Sequence, residues 1–359
     1  MATLWVGSRK GLFRYDEGSA GWVCAGKPAF IASPITALLD DPRDGALYVG
    51  IYHGHFGCHL HRSDDRGVSW TEIAAPAYPV SDAPDAAALE FIWSFAAGGA
   101  DEPGVIWAGT LPGGLFKSTD RGATWVLNEP LWHAPGREKW FGAGYDHAGI
   151  HSILVDPHDS RHVVIAVSIG GVWITRDGGL SWTLGGHGLR SDYMPPGQEQ
   201  DPNTQDAHLI AASPADFNRM WCQHHNGIFV SDDGGMTWRE SLNVKPSAFG
   251  FAVAPHPQDR DRAWFAPAQK DECRLPVDAR LVVTETLDGG ATFRSLSGGL
   301  PQGDSYDLIY RHGLVADGSG KRVAMGSTTG GLWATGDAGE SWQMISAHLP
   351  PIAALAFAP

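Results

Sequence analysis

The chain has 359 residues, and its 40 Asp and Glu and 26 Lys and Arg residues give a formal charge of −14. This negative charge disfavours nucleic acids and anionic membranes as partners, because both would be repelled. The four cysteines have no paired CxxC spacing, which predicts free thiols in a reducing compartment. No signal-peptide pattern follows Met1 and no apolar run could span a bilayer, so we expect a cytoplasmic protein.

An eight-residue pattern recurs along the chain and is clearest at 231–238, which reads Ser-Asp-Asp-Gly-Gly-Met-Thr-Trp. A hydroxyl residue is followed by an aspartate two positions later, by a glycine two positions after that, and by Ser or Thr before an aromatic residue. The complete copies begin at Ser63, Ser118, Thr175, Ser231, Thr286 and Thr335, and a degenerate copy runs from Tyr15 to Trp22. A period near 50 residues that ends in a turn and an aromatic residue predicts a β-propeller.

Each copy lies between two β-rich runs, which predicts a strand, a tight turn and a second strand. We interpret the aspartate as a structural acceptor for backbone amides of the turn rather than as a calcium or sugar ligand. The seven closing aromatic residues predict seven blades: Trp22, Trp70, Trp125, Trp182, Trp238, Phe293 and Trp342. The C-terminal run 352–359 has the pattern of an inner strand, and residues 1–22 supply three more. We therefore expect the two ends to share one blade and close the ring.

The predicted architecture is a single domain over residues 1–359. Its predicted blades are 352–359 with 1–22, 35–73, 90–127, 149–184, 207–241, 249–296 and 306–345. Chain direction alternates within a blade, so the loops that enter the inner strands lie on the face opposite the repeated turns. The long loops of this face occur between the second and sixth repeats, and we expect function there because loop length varies.

Two histidines occupy the same position in adjacent blades when the inner strands are aligned on their Pro turns. His151 and His208 then lie level at the mouth of the axial channel, and a short loop on the same face carries His224 and His225. The other blades have different residues at this level: Thr36, Trp93, Phe251 and Ala353. Three convergent imidazoles predict a divalent metal, zinc or iron, with a position left open for water. The alternative is that His151 and His208 only hydrogen bond to backbone and water.

Charged and aromatic residues near these histidines complete a candidate site. Asp271 and Glu272 are predicted as a further ligand or proton-transfer groups, and Arg274 and Arg311 as contacts for an anionic group. The predicted substrate-binding residues are His53, His55, Trp93, Tyr145, His147 and Arg280. A glycosidase would need two facing carboxylates. Candidates on the expected face are Glu90, Asp146, Asp206, Glu272 and Asp307, but no pair stands out.

The repeated turn, with the frame S-x-D-x-G-x-T-W, resembles the Asp-box (BNR) repeat family, in which the box joins the two outer strands of a blade. From Trp5-Val6-Gly7 to His348-Leu349-Pro350, the chain is similar to bacterial seven-bladed BNR/YVTN-like proteins. These are related to the photosystem II stability and assembly factor and are often labelled sialidase-like or glycosyl hydrolase. The resemblance implies an all-β seven-bladed β-propeller with Asp-box turns, and it implies little about function because one fold hosts many.

Two features separate the chain from better-known relatives of this fold. The only near match to the sialidase Arg-Ile-Pro motif, Arg274-Leu275-Pro276, lies in the sixth repeat, and sialidase propellers have six blades. The acidic charge also departs from an assembly factor that uses a basic patch.

The sequence therefore predicts a metal-dependent hydrolase or lyase that acts on a small polar or anionic substrate at the face opposite the Asp boxes. Two alternatives stay open: a non-catalytic binding or scaffold propeller, and a metal-free glycosidase of the sialidase-like superfamily. The expected partner is a small-molecule or carbohydrate ligand.

Overall fold

The computed structural model describes residues 2–81, 86–142 and 144–359. In chain order its strands are β1 (Thr3–Ser8), β2 (Gly11–Gly18), β3 (Gly21–Cys24), β4 (Ile35–Asp40), β5 (Leu47–Tyr52), β6 (Cys58–Ser63), β7 (Thr71–Ile73), β8 (Phe91–Ala97), β9 (Ile106–Leu111), β10 (Leu115–Ser118), β11 (Val126–Leu127), β12 (Gly149–Asp156), β13 (Asp159–Ser168), β14 (Gly171–Thr175), β15 (Thr183–Leu184), β16 (Ala207–Ser213), β17 (Asp216–His224), β18 (Gly227–Ser231), β19 (Arg239–Ser241), β20 (Gly250–Pro255), β21 (Ala263–Pro267), β22 (Val283–Thr286), β23 (Arg294–Leu296), β24 (Leu314–Ala316), β25 (Val323–Gly326), β26 (Leu332–Thr335), β27 (Gln343–Ser346) and β28 (Ile352–Phe357). The helices are short: α1 (Glu129–Trp132) and 3-10 turns at Gly54–Phe56, Arg137–Lys139, Pro202–Thr204 and Val277–Ala279. No helix in this part of the chain has the length and apolar character needed to cross a membrane.

The strands of the described residues form seven antiparallel sheets of four strands each, which confirms the predicted seven-bladed β-propeller. Blade one contains β28, β1, β2 and β3, and the other blades follow as consecutive groups of four from β4–β7 to β24–β27. The inner strands β28, β4, β8, β12, β16, β20 and β24 contact one another in a closed cycle around the axis. The ring closes through β28, which pairs with β1 from Leu4 opposite Phe357 to Ser8 opposite Ile352.

Each complete Asp-box turn is held together by its own side chains. In the copy at 231–238, the Asp233 carboxylate accepts hydrogen bonds from the Thr237 amide (2.9 Å) and the Thr237 hydroxyl (2.6 Å). The Ser231 hydroxyl donates to Asp233 at 2.8 Å and accepts from the Gly235 amide at 2.9 Å. Gly235 has φ +90°, a left-handed conformation that favours glycine. The aspartate thus fixes the hairpin between the two outer strands of the blade.

The core lies between neighbouring sheets. Large aromatic side chains of the two middle strands are 0–1% exposed there: Trp107, Trp221, Trp264, Trp333, Tyr48, Phe116, Phe229 and Phe265. Burial of one such ring stabilises the fold by on the order of 3 kcal/mol. One hydrophobic layer is therefore buried between each two neighbouring blades.

Six inner strands carry an irregularity at one common level. In β8 the register shifts between Ile92 and Ser94, so Trp93 has no residue directly opposite it on β9. Equivalent shifts leave one extra residue at Thr36, His151, His208, Phe251–Ala252 and Ala353. Such β-bulges re-aim a side chain without ending the strand pairing. The bulges fall at the positions that the alignment of inner strands placed level with one another.

Blade seven departs from this pattern. Its inner strand β24 begins at Leu314, whereas the predicted blade began at 306. Residues 306–310 form no regular strand, and His312 makes only an isolated bridge with Ala354. The segment lacks the Pro turn that follows the inner strands of blades two, four, five and six. It carries Tyr310 and Arg311 to the channel mouth as part of a loop.

Candidate functional site

Asp206, His208 and His225 form one compact group on the face opposite the Asp boxes. One ligand atom from each residue lies within 4.8 Å of the other two, which is a spacing that could hold a metal ion. Oδ2 of Asp206 lies 3.4 Å from Nε2 of His208 and 3.5 Å from Nδ1 of His225. The Asp206 and His208 side chains are only 4% and 3% exposed. We call these three residues the Asp–His–His group.

Local sequence explains why the three side chains meet. Asp206 comes directly before β16, and His208 occupies the bulge at the start of that strand. His225 lies in the two-residue turn between β17 and β18, and its backbone amide donates to the Asp206 carbonyl at 3.0 Å. The turn and the strand entrance are therefore tied together. That hydrogen bond holds the imidazole of His225 beside the Asp206 carboxylate.

Two hydrogen bonds orient the group from outside. The Ser168 hydroxyl donates to Oδ1 of Asp206 at 2.6 Å, which leaves Oδ2 directed at the histidines. Nδ1 of His208 lies 2.6 Å from the Gly250 carbonyl oxygen, and a carbonyl can only accept, so Nδ1 carries a proton. In a neutral imidazole, Nε2 then presents a lone pair to the Asp206 carboxylate. Two acceptors that face each other at this distance need a cation or a proton between them.

The electrostatics favour an ionised Asp206 carboxylate, which requires a proton on His208 or a metal ion beside it. Burial would raise the pKa of Asp206, but His208 and hydrogen bonds from His225 and Ser168 hold that pKa well below its ordinary value. Burial lowers the pKa of His208, and Asp206 opposes this shift without reversing it. Burial also acts against the charged form of His225, but there Asp206 prevails and the pKa is raised.

Aromatic rings lie around the group and at the channel mouth. The His208 ring stacks on Phe251 with ring centroids 4.3 Å apart, and His225 makes an edge contact with Tyr193 at 5.1 Å. On the other side of the channel, Trp93 contacts Tyr145 and His151 at 5.3 and 5.6 Å. Tyr145 and Tyr193 are 48% and 41% exposed, so these rings border the site and leave it open to solvent on one side.

Arg311 extends from blade seven between these two aromatic groups. Its guanidinium carbon lies 4.8 Å from the Trp93 ring centroid and 5.7 Å from that of Phe251, within the range of cation–π contacts. Nη2 makes a long hydrogen bond of 3.4 Å with the Ser168 hydroxyl, and the buried Nε has no hydrogen-bond partner. Among residues 2–81, 86–142 and 144–359, no carboxylate lies within ion-pair distance of Arg311, although the charge of Asp206 acts on it at longer range.

A cavity of about 240 Å³ lies along the axis next to Arg311. Apolar residues of the inner strands supply most of its wall, including Leu38, Leu209, Leu314 and Leu355. Polar lining residues are Ser94, His151, Ser152, Arg311 and His312. We call this space the axial cavity.

His151 and His224, the other predicted metal ligands, lie outside the Asp–His–His group. Nδ1 of His151 hydrogen bonds to the Ser152 hydroxyl at 2.9 Å, and its buried Nε2 has no partner among the described residues. Nδ1 of His224 accepts from the Asn226 amide at 3.2 Å, and its ring packs against Phe229. Burial lowers the pKa of His224 to about 3. The predicted set thus shares His208 and His225 with the group that the structure brings together.

The predicted proton-transfer residues lie further out. Glu272 is exposed, and its Oε2 is 3.3 Å from Nζ of Lys270. Asp271 accepts a hydrogen bond from Nε of Arg274 at 3.0 Å, so these two predicted residues neutralise each other. Arg274 also lies 5.2 Å from the centroid of the Phe251 ring, which places it at the rim. No hydrogen bond or ion pair joins Glu272 to the Asp–His–His group in the part of the chain that the structure describes.

The remaining predicted substrate residues divide into two sets. Trp93 is buried at the channel mouth, and the half-exposed Tyr145 packs on it. Gly149 permits this arrangement, since a Cβ there would lie 2.4 Å from the Trp93 ring. The others are exposed: His53, His55, His147 and Arg280. Their proposed contacts with substrate stay predictions.

Sequence reasoning did not include Asp206 among the metal ligands and did not consider Ser168. Asp206 was weighed only as a glycosidase carboxylate. The spacing Asp206-x-His208 was a usable signal, because side chains two positions apart in a strand lie on the same side. For Ser168 no comparable signal exists, since its partner is 38 residues away in the sequence.

Comparison with known proteins agrees with the repeat structure. Residues 229–240 match the family model of the BNR/Asp-box repeat. The chain is an Asp-box β-propeller. This confirms the resemblance on which the fold prediction was based.

Curated relatives of this Asp-box propeller are larger proteins. Over 295 residues it is 25% identical to a probable oligoxyloglucan-reducing end-specific xyloglucanase of Neosartorya fischeri, covering 72% of this chain and 33% of the relative. Over 213 residues it is 25% identical to a xyloglucanase of Hypocrea jecorina, covering 56% of this chain and 24% of the relative. The chain therefore spans a third or less of the length of these relatives.

Solved structures with similar folds are more distant in sequence. An ancestral GH74 enzyme superposes with a TM-score of 0.62 at 16% identity, covering 97% of this chain and 40% of that one. YCF48 from Cyanidioschyzon merolae superposes with a TM-score of 0.55 at 13% identity, covering 88% of this chain and 87% of that one. At these identities the similarity concerns the fold.

Proposed function

We propose that the protein is a hydrolase that binds one divalent metal ion, zinc or iron(II), through Asp206, His208 and His225. The observation that carries this proposal is the spacing of 3.4 and 3.5 Å between Asp206 Oδ2 and the two imidazole nitrogens. Ligand atoms arranged tetrahedrally at about 2.1 Å from zinc are about 3.4 Å apart, so the three side chains already have suitable spacing.

The surroundings of the three ligands fit the same role. Metal-binding histidines usually donate their other ring N–H to a carbonyl or carboxylate, as His208 does to Gly250. Ser168 holds the ligand carboxylate in the same way. Two imidazoles and one carboxylate leave coordination positions open for water and substrate. A metal bound there would lower the pKa of a bound water to about 7 and polarise a substrate oxygen.

The chain's own groups then have distinct tasks. The stacked ring of Phe251 fixes the plane of His208, and the Asp206 carboxylate balances part of the cation's charge. The Asp206 and His208 side chains are almost fully buried, which strengthens electrostatic interactions at these atoms. Hydrolysis is favoured over redox chemistry because the relatives of known name are hydrolases and the sequence carries no cofactor motif.

Metal analysis of protein purified without a histidine tag tests the proposal. After dialysis against zinc or, under anaerobic conditions, iron(II), we expect about one metal ion per chain by elemental mass spectrometry. The Asp206→Ala/His208→Ala double variant should lose it, and the control His53→Ala/His55→Ala should retain it. Equal metal content in the wild type and the Asp206→Ala/His208→Ala variant, or loss in the control alone, would contradict the site.

Activity on a panel of chromogenic esters, phosphate esters and glycosides provides the second measurement. We expect hydrolysis that chelation abolishes and added metal restores. Metal binding without turnover of any class would instead favour a non-catalytic binding propeller. This outcome would leave the metal site intact and refute the assignment as a hydrolase.

A second candidate is a metal-independent glycoside hydrolase, favoured by the names of the curated relatives. It predicts release of reducing ends from xyloglucan that continues after chelation. Asp206→Asn should then abolish release, because an amide can neither act as a base nor donate an acid proton. Chelator-sensitive release would reject this candidate in favour of the metal centre.

A further inference from the structure

The axial cavity and Arg311 together point to a class of ligand. We propose that the site takes a small carboxylic acid whose carboxylate binds Arg311 and whose apolar body lies in the axial cavity. This inference rests on the proposed function, since it places the ligand beside the Asp–His–His group. The inference identifies the part of the ligand that lies away from the metal ion.

The first observation is a buried guanidinium whose hydrogen-bond donors are not filled. Nε of Arg311 has neither solvent nor an acceptor, and Nη2 has only the 3.4 Å contact with Ser168. A buried donor without an acceptor is destabilising, and more so when the group is charged. Burial lowers the pKa of Arg311, and the charge of Asp206 opposes this shift without reversing it. Protein encloses Nε, so a bound anion would stabilise the guanidinium through its terminal Nη atoms, since Arg311 lines the axial cavity.

The second observation concerns the shape of the cation. A guanidinium presents its two terminal Nη atoms along one edge, and this edge binds both oxygens of a carboxylate. The rings of Trp93 and Phe251 lie 4.8 and 5.7 Å from the guanidinium carbon and restrict where that edge can point. A preordered guanidinium loses little conformational entropy when an oxyanion binds.

The third observation is the chemistry of the cavity wall. Leucine and alanine side chains dominate, and the Ser94 and Ser152 hydroxyl groups are already hydrogen bonded within the protein. An apolar cavity of 150 Å³ accepts a molecule as large as benzene. A cavity of about 240 Å³ then has room for roughly ten non-hydrogen atoms, which suits a short or aromatic acid and excludes an oligosaccharide.

The position of Arg311 links this cavity to the metal group. Ser168 contacts Arg311 through the same hydroxyl that donates to Asp206. A carboxylate on Arg311 would therefore lie near the open side of the Asp–His–His group. The apolar part of the ligand would extend away from it along the axis.

Isothermal titration calorimetry of the full chain with benzoate, benzamide and inorganic phosphate tests this assignment. Benzoate has a carboxylate and nine non-hydrogen atoms, and benzamide has the same shape without the charge. We expect benzoate to bind saturably, and benzamide to bind about tenfold or more weakly. Phosphate that binds more tightly than benzoate and displaces it would overturn the carboxylate assignment in favour of a phosphate ligand.

Three variants separate the role of Arg311 from general effects. Arg311→Gln should weaken benzoate binding by about tenfold to hundredfold, and Arg311→Lys by less, because it keeps the charge and loses the bidentate edge. Arg161→Gln is the matched control, because Arg161 is 70% exposed and has no predicted role in binding, and it should bind benzoate as the wild type does. Arg311→Gln and Arg311→Lys proteins that both bind benzoate with wild-type affinity would refute the assignment.

Benzoate binding measured after treatment with a chelator distinguishes this inference from the metal proposal. Benzoate binding that persists in metal-free protein, and is lost in Arg311→Gln, supports the anion site even if no metal binds. Absence of benzoate binding to a protein that does bind metal would refute the anion site alone. Thermal stability gives an independent check, since removal of an unpaired buried cation should not lower the melting temperature. A lower melting temperature of Arg311→Gln would assign the arginine a structural role.

Discussion

The Asp-box turn gives a quantitative test of how the fold is held together. In the copy that begins at Ser118, the Asp120 carboxylate accepts hydrogen bonds from the Thr124 amide (2.8 Å), the Thr124 hydroxyl (2.6 Å) and the Ser118 hydroxyl (2.8 Å). Each contributes about 1 kcal/mol, and solvent screening in this exposed turn reduces their sum to about 2 kcal/mol. Asp120→Ala should therefore destabilise the protein by about 2 kcal/mol.

The expected change in melting temperature follows from the size of the chain. Unfolding entropy of about 2.1 cal/mol/K per residue gives about 0.75 kcal/mol/K for 359 residues. A loss of about 2 kcal/mol then lowers the melting temperature by roughly 3 °C, which differential scanning fluorimetry resolves. Thr119→Ala, an exposed neighbour in the same turn, is the matched control and should shift it by less than about 1 °C.

Acid provides the second arm of this test. Hydrogen bonds from Thr124 and Ser118 lower the pKa of Asp120 to about 2 from its ordinary value of 3.8. A carboxyl group with a lowered folded-state pKa stabilises the fold above pH 4, and this contribution disappears as the pH falls through about 2. Roughly half of it should remain at pH 3, so the difference between wild type and Asp120→Ala should shrink there. A difference that is absent at pH 7, or equal at both pH values, would refute the reasoning.

Two further predictions concern the ring and its ion pairs. Deletion of 352–359 removes β28 with the buried Ile352 and Leu355, a loss on the order of 8 kcal/mol when its backbone hydrogen bonds are included. Such a loss is comparable to the whole stability of a domain. Circular dichroism and size-exclusion chromatography should therefore show unfolded or aggregated protein. Deletion of Pro359 alone is the control and should leave the fold intact. Glu285 is fully buried between Arg262 and Arg294, and the Nε atom of each arginine lies 2.7 Å from one of its oxygens. Glu285→Ala should therefore lower the free energy of unfolding in urea by about 3–5 kcal/mol. Glu340→Gln changes the exposed partner of the same Arg294 and should lower the free energy of unfolding by less than about 0.5 kcal/mol. If the two variants lost the same stability, burial would not explain the importance of Glu285.

The fold was predictable because the same local pattern recurs in register. Each Asp box fixes one hairpin by contacts within eight residues, so its spacing alone counts the blades. Even the level of Trp93, His151 and His208 followed from alignment on the Pro turns, since the bulges occur at those positions. Blade seven was the exception: without a Pro turn after 306–311, the sequence offered no marker for the start of β24.

The candidate site was only partly predictable. Sequence alignment gives the height of a residue on its strand, but the direction of its side chain depends on partners from other blades. His151 hydrogen bonds to Ser152 of blade four and packs on Trp93 of blade three. Its imidazole therefore lies outside the Asp–His–His group. A backbone hydrogen bond from His225 to Asp206 brings these two side chains together. No local sequence pattern predicts this contact between a turn and the start of a strand.

The bulges at the tops of the inner strands have an evolutionary consequence. The residue at each bulge lies outside the pairing between strands, and in this chain it is a threonine, a tryptophan, a phenylalanine, an alanine or a histidine. Replacement there alters the lining of the pore and leaves the hydrogen-bond ladder of the blade unchanged. A duplicated scaffold of this kind can acquire new chemistry by single substitutions, one blade at a time, with its architecture protected from the change.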